Sequence, residues 1–128
     1  MIKTEVKHES GVSFLFEEDT TTISVLASDR NGNLRKDVYR VIALDTIQSI
    51  EQAEPYQISD DPVICQWFLA KFFSHLANRG YTKIHPVHRQ GEVHITPQRD
   101  DRLNVHIKTT DPQAEPVNLV FNVPWHRN

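Results

Sequence analysis

The stretch SDDPVICQWFLAKFFSHLANRG, residues 59–80, divides the chain into two strand-rich parts. Ser59-Asp60-Asp61-Pro62 reads as a helix start, because an aspartate accepts from the free N–H groups of a first turn and proline there forgoes no hydrogen bond. Arg79-Gly80 reads as the stop, with a cation at the negative end and a glycine free to turn left-handed. The spacing predicts one long helix over about residues 62–79. At about 100° per residue, Cys65, Phe68, Leu69, Ala70, Phe72, Phe73, Leu76 and Ala77 share an arc of about 200°, wider than one covered face requires. A second side of the helix is therefore expected to be covered. Trp67 falls outside this arc, among Lys71, Ser74 and Asn78. Tryptophan is enriched at protein contacts, so Trp67 and Lys71 are candidates for a partner surface, against the alternative of a tryptophan lying under a loop.

Both flanks of the helix read as strands. KTEVKHE and GVSFLFE are separated by Ser10-Gly11, and TTTISVLAS runs through Asp29-Arg30-Asn31-Gly32-Asn33 into LRKDVYRVIAL. Asn31-Gly32 is a strong hairpin signal of the type I′ kind. VYRVIAL, residues 38–44, is apolar on both faces apart from Arg40 and is expected to be central and covered on both sides. This hairpin, its apolar strand and the Ile47/Ile50 tail resemble part of small SH3-like barrels, over a short length and without a diagnostic residue. Beyond Gly80, alternation returns near 82–88, 92–98, 103–109 and 117–123. Pro112, Pro116 and Pro124 make the last strand an expected edge. The predicted class is α+β, a single domain over 1–128 with antiparallel strands in two meanders around one long helix.

Composition narrows the function classes. The chain has 128 residues, a net charge of −3 and one cysteine, which suits one soluble domain in a reducing, cytoplasmic setting. VICQWFLAKFF, residues 63–73, is about half the length of a membrane span and contains Lys71, so no membrane association is expected. Charge is unevenly placed. Residues 1–61 carry six Lys/Arg against twelve Asp/Glu, whereas residues 71–108 carry seven against three, with five histidines added. The four glycines fall at turns or caps, leaving none for a phosphate-cradling loop. Cys65 and His75, the obvious nucleophile and base, stand about 15 Å apart along one helix. The acidic clusters at 17–19, 60–61 and 100–101 sit where turns and caps use aspartate for local hydrogen bonds. A non-enzymatic binding or assembly protein follows, self-associating or bound to a protein partner.

The alternative functions lie in HPVHRQGEVHITPQRDDRLNVHIK, residues 85–108, which holds four of the seven histidines. Pairing apolar with apolar across the hairpin sets Val93 against Ile107, Ile95 against Val105 and Pro97 against Leu103, around Arg99-Asp100-Asp101. The other face then aligns His94 with His106 and Glu92 with Lys108. One register of the preceding hairpin adds His88 beside His94, giving a row of His88, His94 and His106 with ligand types and spacing suited to zinc. A second register lacks that row and sets His88 against Val93. Lys83, Arg89, Arg99, Arg102 and Lys108 suggest instead a surface for nucleic acid or a phosphorylated ligand, although no aromatic residue is present for base stacking.

Overall fold

The computed structural model of the protein describes residues 1–51, 59–86, 90–111 and 114–127. Nine strands and one helix follow in chain order: β1 (Ile2–Lys7), β2 (Ser13–Glu18), β3 (Thr22–Ser28), β4 (Leu34–Ala43), β5 (Thr46–Glu51), α1 (Pro62–Asn78), β6 (Lys83–His85), β7 (Gln90–Pro97), β8 (Arg102–Asp111) and β9 (Ala114–Pro124). All nine strands form one sheet, and their spatial order is their order in sequence. Strand accounts for 58% of the described residues and helix for 15%, so this is mostly a β protein. The expected α+β arrangement of two meanders around one long helix is corrected on this point. The cause is a single parallel join. After β5 the chain crosses through α1 and returns alongside, with Thr46 opposite Lys83, Ile47 opposite Ile84 and Gln48 opposite His85, fusing two antiparallel halves into a mixed sheet.

Asp45 reinforces that join from the β4–β5 turn. Its carbonyl accepts from the N–H groups of Thr82 and Lys83. Its carboxylate accepts from the hydroxyls of Thr46 and Thr82 at 2.8 and 3.4 Å, and these bonds, with Thr46 foremost, hold Asp45 below the usual carboxylate range.

The sheet is apolar on one face. Phe14, Phe16, Ile23, Val25, Ala27, Ile47, Ile84, Ile95, Leu103, Val105 and Val123 form one cluster with Ala70, Phe73 and Leu76 of the helix. The helix touches strands near both ends of the sheet. Phe14 of β2 meets Phe68 at 5.0 Å, and Phe121 of β9 meets Phe73 at 6.0 Å. Seven strand spacings, about 34 Å when flat, separate β2 from β9, whereas a helix with its side chains is about 10–12 Å across. The sheet must therefore curl into a trough with the helix lying in it, in the sense that strand twist favours.

Asp61 caps α1, accepting from the Val63 N–H at 2.9 Å, with Pro62 in the first turn. The side of the helix that reads as polar is covered too. Ser74 is buried; its hydroxyl donates to the Pro124 carbonyl and accepts from the His126 N–H. Asn78 accepts from the Trp125 indole at 2.8 Å and donates to the His126 carbonyl at 2.9 Å. The chain after β9 thus supplies the second cover that the wide apolar arc calls for.

Two local expectations change. β4 is fourth of nine strands, yet only one of its faces is covered, with Ile42 exposed, and it belongs to an open sheet rather than a small barrel. The turn before it is built by Asp29, whose carboxylate accepts from the N–H groups of Asn31 and Asn33. Gly32 alone takes a positive φ there, so the turn is not type I′.

Candidate functional site

The helix fills one face of the sheet and leaves the other open. On β7 and β8 the odd-numbered residues Ile95, Leu103 and Val105 are buried against the helix, so the even-numbered residues line the open face. The register there pairs Glu92 with Lys108, His94 with His106, Thr96 with Asn104 and Pro97 with Leu103, as apolar matching requires. Glu92, His94, His106 and Lys108, with Gly91 and Thr110, line a concavity of about 370 Å³.

Each histidine of this pair has a partner. The His94 Nε2 lies 2.6 Å from a Glu92 carboxylate oxygen, with both side chains about two-fifths exposed. The His106 Nε2 donates to the Asn118 amide oxygen of β9 at 2.7 Å. The Nδ1 atoms of both rings remain as the second polar atoms of the pair. Among the described residues, no serine, threonine or cysteine hydrogen-bonds to either ring. Cys65 donates instead to the Ser59 carbonyl at 3.1 Å.

The hairpin register that gives the zinc row is not the one adopted. Neither register considered for the preceding hairpin occurs: Lys83 stands opposite His94, and Ile84 opposite Val93. A lysine therefore occupies the cross-strand place beside His94 that the row assigns to His88. His88 itself lies outside the described residues. No group of three His, Cys, Asp or Glu suited to a metal ion occurs among the described residues.

The four predicted cations among the described residues do not form one patch. Lys83 and Lys108 flank the histidine pair, and Lys108 lines the concavity. Arg102 shares the open face but sits six residues along β8 from Lys108, about 20 Å away. Arg99 is exposed in the β7–β8 turn beside Asp100 and Asp101, and Asp101 pairs with Arg127 at 3.3 Å. Arg89 lies outside the described residues. Trp67 is half-buried, its ring 4.9 Å from His8 and 5.5 Å from Phe14, so the ring is engaged within the molecule. Lys71 lies near His126, adding to the effect of burial in holding that imidazole below its ordinary value.

A buried cluster on the helix side escapes the sequence reading. Glu18 and His75 are both buried, and the His75 Nε2 lies 2.9 Å from the Glu18 carboxylate. Arg79 approaches the same carboxylate at 3.4 Å, and the His75 ring stacks on Phe16 at 3.7 Å. Burial pushes His75 below its ordinary value, with Glu18 opposing the shift and Arg79 adding to it. Strand parity holds the missing signal: Glu18 continues the inward series Phe14, Phe16, while the run Glu17-Glu18-Asp19 reads as an ordinary turn. A second polar group lies on β4, where Arg35 meets Asp37 at 3.2 Å. Burial and the Asp37 charge hold the neighbouring Tyr39 hydroxyl well above its usual range. No described helix is long and apolar enough to cross a membrane. No family model, curated protein or solved structure matches the chain.

Proposed function

We propose that the protein is a non-enzymatic binding protein whose open sheet face receives an anionic, phosphate-bearing ligand. The observation that carries this reading is the concavity lined by His94, His106 and Lys108, with Lys83 across from His94, on the face that the helix leaves uncovered. The Lys83 and Lys108 ammonium groups offer hydrogen-bond donors and positive charge suited to phosphate oxygens, and each imidazole adds a donor at Nδ1 when it is protonated. Glu92 opposes this charge and, by holding the His94 Nε2, orients that ring. Nucleic acid and phosphorylated small ligands share the chemistry. Binding to a labelled single-stranded oligonucleotide, competed by inorganic tripolyphosphate, tests the reading. Affinity should fall as salt rises, and Lys83→Glu with Lys108→Glu should abolish binding while Arg30→Glu leaves it intact. Absence of binding in about 50 mM salt, or binding indifferent to salt, would overturn the proposal.

Assembly with a second copy is the other reading, favoured by an uncovered edge of the sheet.

A further inference from the structure

β9 ends the sheet and has no neighbour on its outer side among the described strands. Its register with β8 and the bond from the Trp125 N–H to the Asp101 carbonyl show which backbone groups are free. Residues 117, 119, 121 and 123 bond to β8, so 116, 118, 120, 122 and 124 are the outward positions, with free N–H and C=O groups at 118, 120 and 122, while the Pro124 carbonyl accepts from the Ser74 hydroxyl. Pro116 and Pro124 occupy two of these outward positions, where a missing N–H costs the β8 ladder nothing. Between them, Asn118, Val120 and Asn122 present three free N–H donors.

The segment that carries this edge, PVNLVFNVP at residues 116–124, reads the same in both directions apart from an exchange of Leu119 and Phe121. An antiparallel strand pair with a two-fold axis at Val120 therefore brings like to like. Val120 meets Val120, Asn118 meets Asn122, Leu119 meets Phe121, and each Pro116 faces a Pro124 with no donor left unmatched. Leu119 and Val120 are 50% and 57% exposed in the single chain. Asn118 and Asn122 already accept from His106 and Asn104 through their amide oxygens, at 2.7 and 3.1 Å. Their amide N–H₂ groups are left for a neighbour across the axis.

The opposite edge contrasts with this one. β1 is six residues long and puts Lys3, Glu5 and Lys7 on the open face, the charged pattern that discourages edge pairing. β9 has no charged residue after Glu115.

We infer that the protein forms a two-fold dimer by antiparallel pairing of β9 with β9 of a second copy, centred on Val120, which joins two curled sheets into one. The dimer stands independently of the anion-binding reading. If that reading holds as well, the pairing sets His106 in line with Val120 and places the two His106 residues about 14 Å apart across the axis on one face.

Sedimentation velocity and cysteine cross-linking test the dimer. The wild-type chain should sediment as a dimer at about 100 μM and dissociate on dilution. Val120→Pro, which removes the central outward N–H without touching the β8 ladder, should sediment as a monomer at that concentration. In a Cys65→Ser background, Val120→Cys should cross-link under mild oxidation, since residues facing one another in such a pair lie about 5.5 Å apart at Cα. Lys3→Cys on the β1 edge should not. A wild-type monomer at about 100 μM overturns the inference. So does a dimer that cross-links through Lys3→Cys and not through Val120→Cys, a result that keeps the test decisive even where Val120→Pro fails to fold. Loss of oligonucleotide binding with the dimer intact would remove the anion-binding proposal alone.

Discussion

Gly91 shows how closely one residue shapes the open face. It pairs with Thr109 and has a φ of +112°, a conformation L side chains rarely adopt, and a Cβ there would collide with the Lys108 carbonyl oxygen and come within 2.9 Å of the Thr109 Cα. Gly91→Ala should cost about 2 kcal/mol or more in denaturant unfolding, whereas Gly32→Ala, with nothing nearby, should cost about 1 kcal/mol. At the buried cluster, Glu18→Ala strands His75 and Arg79 without their acceptor, and a loss of about 3 kcal/mol is expected in the same measurement. His75 gives the cluster a pH signature. Its folded-state value is depressed below 6.5, so below that pH the unfolded chain binds more protons than the folded one. The stability contribution is complete above 6.5 and is lost as the pH falls. His75→Gln should flatten the decline of melting temperature on acidification, and an unchanged slope would contradict this account. The His94–His106 pairing was legible because apolar matching admits one register. The Glu18–His75 pair was not, since it joins residues 57 apart in sequence across a packing contact that no local pattern records.

At the scale of elements, helix ends were the most readable feature, because capping is local chemistry. Asp61 bonds to Val63 two residues away, and Asp61→Ala should lower stability by about 1 kcal/mol. The helix faces were harder to read. Ser74 and Asn78 look like a solvated side, yet the segment after β9 covers them, and Asn78→Ala should cost about 1–2 kcal/mol through the lost bonds to Trp125 and His126. Thermal denaturation of the two variants compares the contributions. Strand parity was readable wherever one face is buried. β6, three residues long, offers too few positions for parity to fix a partner, and both registers considered for its hairpin failed for that reason.

For the whole molecule, the decisive feature is the parallel pairing of β5 with β6. Residues 46 and 83 meet there only because a helix intervenes, and sequence alternation cannot distinguish one continuous sheet from two separate meanders. Since the core draws residues from β2 and β3 as well as β7, β8 and β9, the protein should unfold in one cooperative transition seen alike by tryptophan fluorescence and far-ultraviolet dichroism. Two separated transitions would indicate independent halves. The same architecture divides the histidines by face: His94 and His106 on the open side, His75 on the helix and buried against the covered face of the sheet. That division gives the central claim its sharpest test, a titration with a single-stranded oligonucleotide followed through the histidine ring proton resonances. The ring signals of His94 and His106 should shift together and saturate while that of His75 stays in place; movement of His75 with His94 and His106 unmoved, or no movement at all, would contradict an anion site on the open face.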